Sequence, residues 1–159
     1  MVVRWEAIDP MEVRIEKLAP MRVGSVRVVS EHPEVEAWEL LRAWAEPKGL
    51  LKDPSQHPVF GFNNPSPALG RHEYGYEFWI RVEPGVVSAG PVEMKEVGGG
   101  KFVVTTVRGF PNPQVWKELW DWVQVHGYRW RKSHELERNL NPLAPETEIA
   151  FDLYLPIED

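Results

Sequence analysis

The chain has 159 residues, no cysteine and a formal net charge of −6 at pH 7. This composition excludes a disulfide framework and thiolate metal sites, and the acidic balance disfavours binding to nucleic acid or to an anionic membrane surface. No apolar run approaches the ~20 residues of a membrane-spanning helix. Residues 1–10 lack the features of a signal peptide, so we expect a cytoplasmic protein.

The first half of the chain is predicted to form strands around one helix. Alternating residues from 13 to 29 indicate two short strands, or one strand bent at Pro20. Residues 30–49 are typical of a helix, because Pro33 lies near its start, acidic residues fill the first turn, and Pro47 and Gly49 follow the last apolar positions. Two further strands are predicted, a short one that contains Phe62 and a longer one that contains Glu77.

The second half presents similar elements in the same order. Strands around a glycine-rich turn precede a helix with Asn112 as N-cap, Pro113 at its first position and Gly127 after its end. The stretch 128–141 is consistent with a loop that contains a short helix or strand, and residues 146–157 indicate a closing strand.

An internal duplication is predicted from these two halves. A shift of 78 residues places Trp38 on Trp116, and a shift of 75 residues places Glu77 on Asp152. We expect one domain over residues 1–159, with repeats at about 11–84 and 90–157. The fold class is α+β: duplicated strand–helix–strand–strand units form a curved antiparallel sheet, backed by two main helices, with pseudo-two-fold symmetry and a central cleft.

Two strands carry a carboxylate in mid-span, followed two residues later by a large aromatic residue. Glu77 shares a strand face with Trp79, and Asp152 shares one with Tyr154, because alternate side chains point to the same side. Such a mixed face is either the solvated side of an antiparallel sheet or the floor of a cleft for a flat organic cation. We favour the cleft, with Phe62 as a weaker candidate for its wall.

The sequence resembles the GyrI-like small-molecule-binding domain family, which supplies the effector-binding domain of many multidrug-sensing bacterial transcription regulators. The resemblance rests on "YGYEFWIRV" at 74–82, "DLYLPI" at 152–157, the two Trp-rich helices and their order. It implies that a hydrophobic, cationic compound binds in a central cleft against an acid at Glu77 or Asp152, with Trp79 and Tyr154 as walls. Asp152 is shorter than the glutamate usual in the family.

Three functions follow as expectations. The first is a stand-alone binding module that senses or sequesters a hydrophobic cation, since only about ten residues precede the first strand. The second is a hydrolase of strained, cyclopropane-containing electrophiles that uses Glu77 and Asp152 as acid and water-orienting group. The third is a protein-interaction domain, for example one that modulates gyrase, with a cleft too shallow for a drug-sized molecule.

No cofactor, metal, nucleic acid or membrane is expected as a partner. The five histidines (32, 57, 72, 126 and 134) show no metal-site spacing. The glycine-rich stretch 96–102 lacks the spacing of a phosphate-binding loop and leads into a strand, so a hairpin turn is expected there.

Overall fold

The computed structural model describes residues 11–159. Residues 1–10, in whose sequence no signal peptide is indicated, lie outside the described residues. The described chain forms eight strands and two α-helices. In order they are β1 (Val13–Leu18), β2 (Met21–Ser30), α1 (Pro33–Ala45), β3 (Val59–Asn63), β4 (Tyr74–Arg81), β5 (Glu93–Val97), β6 (Gly100–Arg108), α2 (Pro113–Val125), β7 (Leu136–Asn139) and β8 (Ala150–Ile157).

The eight strands form one antiparallel sheet in the order β1-β6-β8-β7-β3-β4-β2-β5. If β1–β4 are exchanged with β5–β8, this order reads the same from the opposite end. The symmetry axis therefore passes between the two central strands, β3 and β7. The expected α+β class, with a curved antiparallel sheet and two main helices, is confirmed.

The sheet curls until its two ends are adjacent. β1 and β2 lie far apart in the strand order, yet only residues 19–20 separate them in the chain. Leu18 pairs with Gly100 on one side of this link, and Met21 pairs with Val97 on the other. Pairing therefore continues in the same register across the bend. Gly99 lies at this crossing, where a Cβ would come within 1.7 Å of the Leu18 carbonyl oxygen.

Both helices begin where the sequence predicts. Pro33 occupies the first turn of α1 together with two acidic residues, which suit the positive end of the helix dipole. The Asn112 side chain caps α2 by accepting a hydrogen bond of 3.1 Å from the Val115 backbone N–H. Each helix buries an apolar stripe, with Leu41 in α1 and Leu119 in α2 fully buried.

The apolar core has two outer parts and one inner part. One outer part lies between α1 and the sheet, and the other lies between α2 and the sheet. The inner part fills the inside of the curl. Its buried members are Phe60, Phe62, Phe102, Val104, Leu136 and Tyr154.

The stretch 128–141, which the sequence leaves undefined, contains the central strand β7. Its four residues are too few for a periodic pattern, and three of them are polar or charged, so local propensity favours no element. Pairing with β3 and β8 on both sides makes it a strand. Among residues 11–159, no helix is long and apolar enough to cross a membrane.

Candidate functional site

A cavity lies on the outer face of the sheet, in the gap between the two helices. α1 packs on β2 and β4, whereas α2 packs on β6 and β8, so the central strands β3 and β7 have no helix above them. The helices are about four strand spacings apart, roughly 19 Å along the sheet. Packed helices lie at ~8–10 Å, so a gap must remain.

The cavity has a volume of about 1200 Å³. Its walls are rich in aromatic side chains contributed by both helices, the sheet and the loop before α2. These side chains are Trp38, Tyr76, Phe78, Phe110, Trp116, Trp120 and Phe151. Such a concave, mostly apolar surface with few polar groups is typical of a small-molecule site.

One carboxylate, Glu137 in β7, lies at the floor of this cavity. The Tyr76 hydroxyl donates a hydrogen bond of 2.7 Å to Glu137 Oε1. The Trp116 indole N–H donates a longer one of 3.4 Å to Oε2. β4 and α2 thus hold the carboxylate from opposite sides.

Gly61 makes this arrangement sterically feasible. It lies directly opposite Glu137 in the β3–β7 pair. The Tyr76 ring, which comes from β4, crosses β3 above Gly61 to reach β7. A Cβ at position 61 would lie 2.4 Å from the Tyr76 hydroxyl oxygen, so a side chain here would push the ring away from Glu137.

The environment of Glu137 favours its neutral form. Burial raises the pKa of the Glu137 carboxyl, and the nearby Glu34 carboxylate raises it further. The hydrogen bonds from Tyr76 and Trp116 act in the opposite direction but do not compensate. Burial, followed by the proximity of Glu137, also holds the pKa of Tyr76 well above its ordinary value, so the phenol stays a donor.

Basic residues at the cavity rim are paired with acids four residues further along the chain. Arg42 pairs with Glu46 at 2.6 Å, and Lys117 pairs with Asp121 at 3.1 Å. Glu34, also at the rim, accepts a hydrogen bond of 2.7 Å from the Tyr74 hydroxyl. The cavity therefore keeps an excess of negative charge.

Large apolar side chains are exposed at the mouth of the cavity. Val35, Phe110 and Leu143 are 60%, 59% and 43% exposed and line it from three different segments. Apolar side chains exposed together in this way mark surfaces that bind other molecules.

The site residues predicted from the sequence lie on the opposite face, inside the curl of the sheet. Glu77 is only 2% exposed. Its carboxylate accepts hydrogen bonds from Ser25 at 2.7 Å, Asn64 at 3.0 Å, Trp79 at 2.7 Å and Lys95 at 2.9 Å. Burial acts to raise the pKa of Glu77, but these donors outweigh it and hold the pKa below its ordinary value.

Asp152 is likewise buried and already paired. It accepts hydrogen bonds from Arg14, at 2.7 Å, and from the Thr106 hydroxyl. Tyr154 has no exposed surface and donates a hydrogen bond of 3.1 Å to Glu16.

The structure brings some of the predicted residues together but separates the two acids. Phe62 and Trp79 are in contact, with ring centroids 4.7 Å apart, and both belong with Tyr154 to the inner apolar cluster. Glu77 in β4 and Asp152 in β8 are three strand spacings apart, roughly 14 Å. A role for these five residues in ligand binding stays a prediction.

Sequence reasoning missed Glu137, together with Tyr76 and Trp116 as its partners. A signal for Glu137 was present in the predicted duplication: a shift of 76 residues places Phe60 on Leu136 and Asn63 on Asn139. This shift identifies β7 as the counterpart of β3 and places Gly61 on Glu137. The acid thus lies where the two halves differ in sequence, at their symmetry axis.

Chemically, the cavity can hold an organic cation between aromatic faces and a carboxylate, or present a carboxylic acid as a proton donor. Among residues 11–159, no group of three or more His, Asp or Glu side chains is arranged to hold a metal ion.

The fold is similar to that of several solved structures. A hydrolase encoded by lin2189 from Listeria innocua has a TM-score of 0.68 and 14% identity, over 98% of this chain and 96% of that one. The C-terminal domain of EcmrR has a TM-score of 0.68 and 13% identity, over 94% and 98%. SAV2435 bound to tetraphenylphosphonium has a TM-score of 0.52 and 15% identity, over 93% and 94%.

At sequence identities of 13–15%, these similarities show a shared fold and nothing beyond it. No curated protein sequence is significantly similar to this chain. Residues 11–158 match the sequence profile of a family described as the GyrI-like small molecule binding domain. This match extends over nearly the whole chain, and the chain therefore belongs to the GyrI-like small molecule binding domain family.

Proposed function

We propose that this protein binds a hydrophobic, cationic aromatic molecule in the cavity between α1 and α2, where it senses or sequesters that molecule. The observation that carries the proposal is Glu137, a carboxylate at the floor of a cavity walled by aromatic rings. A bound cation would compensate the cost of ionising this acid away from water. Each cation–π contact would add about 0.5–2 kcal/mol.

Two further observations support a cation. The basic residues at the rim, Arg42 and Lys117, are already paired and do not oppose a positive ligand. A protein of the same fold, SAV2435, was solved with tetraphenylphosphonium, a hydrophobic aromatic cation. A cavity of about 1200 Å³ also suits a small molecule better than a docking partner, which would use a flatter face. The proposal includes the cytoplasmic location that the sequence analysis predicts.

The test uses isothermal titration calorimetry with tetraphenylphosphonium and with two ligands of similar shape that differ in charge, the cation methyltriphenylphosphonium and the neutral triphenylphosphine oxide. The cation of this pair should bind the wild-type protein more tightly, and Glu137→Gln should remove most of this preference. The matched control is Glu118→Gln, at an exposed position of α2 that does not line the cavity. Equal binding of both ligands, or a preference unchanged in Glu137→Gln, would refute the proposal.

A hydrolase is the second candidate, because burial raises the pKa of Glu137, the direction that suits a general acid, beside the Tyr76 hydroxyl. The carboxyl would protonate one carbon of a strained ring as its C–C bond breaks, water would add to the other carbon, and the proton lost by this water would restore the carboxyl. Incubation with a cyclopropane-containing electrophile, followed by mass spectrometry, would show a gain of one water. An unchanged substrate would exclude this activity for the compound tested.

A further inference from the structure

Two tyrosine–glutamate pairs border the cavity, and both tyrosines belong to β4. Tyr74 donates its hydroxyl to Glu34 of α1, and Tyr76 donates its hydroxyl to Glu137 of β7, each at 2.7 Å. The tyrosines are two residues apart on one strand face, so their Cα atoms are separated by ~7 Å. The hydrogen bonds therefore fix two carboxylates of the cavity wall, one at the floor and one at the rim.

Glu34, the carboxylate at the rim, has no basic partner among the residues that line the cavity. Arg42 and Lys117 are the basic residues of that lining, and each is paired with an acid four residues further along the chain. The hydrogen bond to Glu34, with lesser effects of burial and charge, raises the pKa of Tyr74 to about 12, which keeps the phenol neutral. A ligand with one positive charge at Glu137 would therefore leave the negative charge of Glu34 uncompensated.

The cavity also has room for a ligand that reaches both acids. Its volume of about 1200 Å³ exceeds the ~300–1,000 Å³ of most small-molecule pockets. Trp38 follows Glu34 by one helical turn, and its ring contacts Phe78 with a centroid distance of 5.6 Å. Phe78 in turn contacts the Tyr76 ring at 5.0 Å. A continuous aromatic wall thus connects the surroundings of the two carboxylates.

We propose that the cavity selects compact aromatic dications, with one positive group at Glu137 and the other at Glu34. This inference rests on the proposed function and specifies its ligand class. Glu137 contributes to the binding of any aromatic cation, whereas Glu34 contributes to that of a ligand with a second charge. A hydrogen bond between a cationic group and a carboxylate is worth about tenfold in affinity.

The probes are rigid bis-amidines on a benzene, naphthalene or biphenyl core, each compared with an analogue in which one amidine is replaced by a neutral carboxamide. At least one dication should bind the wild-type protein about tenfold more tightly than its own analogue. Glu34→Gln should abolish that difference and leave the affinity of the monocationic analogue within twofold. The unchanged analogue also demonstrates that the variant is folded. Glu39→Gln, at an exposed position of α1 outside the cavity lining, should change neither affinity.

The outcomes separate this inference from the proposed function. If tetraphenylphosphonium binds in a Glu137-dependent manner but no dication exceeds its analogue, the dication inference alone is overturned. Equal loss of dication and analogue in Glu34→Gln would also overturn it. If neither tetraphenylphosphonium nor any amidine binds, both proposals fail.

Discussion

Glu137 and Glu77 are two carboxylates of the same sheet held in opposite electrostatic conditions. Glu77 accepts four hydrogen bonds inside the curl, and its pKa is lowered. Neighbouring side chains of the folded protein therefore already stabilise its negative charge. Glu137 receives one short and one long hydrogen bond, and its pKa is raised because burial dominates. A carboxylate whose charge is left incompletely satisfied is the better ligand for an incoming cation.

The raised pKa predicts that cation binding releases protons. The groups near Glu137 are Tyr76 from β4, Trp116 from α2, Glu34 from α1 and Glu135 just before β7, and none of them is a cation. A bound cation favours the ionised carboxylate. Affinity should therefore fall as the pH decreases through the raised pKa, which lies above the ordinary glutamate value of ~4.3.

Calorimetric titrations with tetraphenylphosphonium near that pKa, in buffers of different ionisation enthalpy, measure the proton release directly. The release should disappear in Glu137→Gln. A wild-type affinity that does not change with pH anywhere above the ordinary glutamate pKa of ~4.3 would contradict this assignment.

At the scale of elements, the site depends on three strands and a helix that converge on one carboxylate. β7 supplies Glu137, β4 supplies Tyr76, α2 supplies Trp116, and β3 contributes the absence of a side chain at Gly61. The helices stand apart because each is centred on a different pair of strands. The cavity is a consequence of this packing and requires no distortion of the sheet.

Gly61→Ala should therefore reduce both stability and ligand affinity. The added methyl group would overlap the Tyr76 ring, which must move away from Glu137. We expect a loss of about 1–3 kcal/mol in the free energy of unfolding, measured with urea. The affinity for tetraphenylphosphonium should fall in the same variant. The control is Gly85→Ala, where an added Cβ would meet no atom within 4 Å. Equal effects of the two substitutions would refute this role of Gly61.

The elements that could be predicted from the sequence are those with local signals. Pro33 and Asn112 mark the beginnings of the two helices, and both helices begin there in the structure. β7 has no such signal, because its strand conformation depends on pairing with β3 and β8. Since Glu137 lies in β7, the acid at the cavity floor escaped prediction together with its strand.

At the scale of the whole molecule, the curl of the sheet decides which face meets the cavity. Alternation along β4 and β8 correctly places Glu77 and Asp152 on the side away from the helices. It does not indicate that this side closes on itself and buries both acids to 2% and 5% exposure. Closure depends on pairing between β1–β2 and β5–β6, which are about 80 residues apart in the chain, and such pairing leaves no local pattern.

The closure predicts a sharp difference between two neighbouring glycines. A Cβ at Gly99 would lie 1.7 Å from a backbone oxygen, whereas one at Gly98 would meet no atom within 4 Å. Gly99→Ala should lower the free energy of unfolding by ~2 kcal/mol or more, because the backbone of the β1–β2 link must shift. Gly98→Ala should stay within about 0.5 kcal/mol of the wild type. Similar urea midpoints for the two variants would contradict the described crossing.

The central claim is that the ligand carboxylate is Glu137 on the helix side and that Glu77 is structural. The most direct test measures tetraphenylphosphonium affinity and urea unfolding in parallel for Glu137→Gln and Glu77→Gln. Glu137→Gln should weaken binding by about 1–3 kcal/mol without loss of stability. Glu77→Gln should lower stability by a similar ~1–3 kcal/mol at pH 7, with nearly wild-type affinity. The reverse pattern, with affinity lost in Glu77→Gln and retained in Glu137→Gln, would place the site inside the curl and contradict the account.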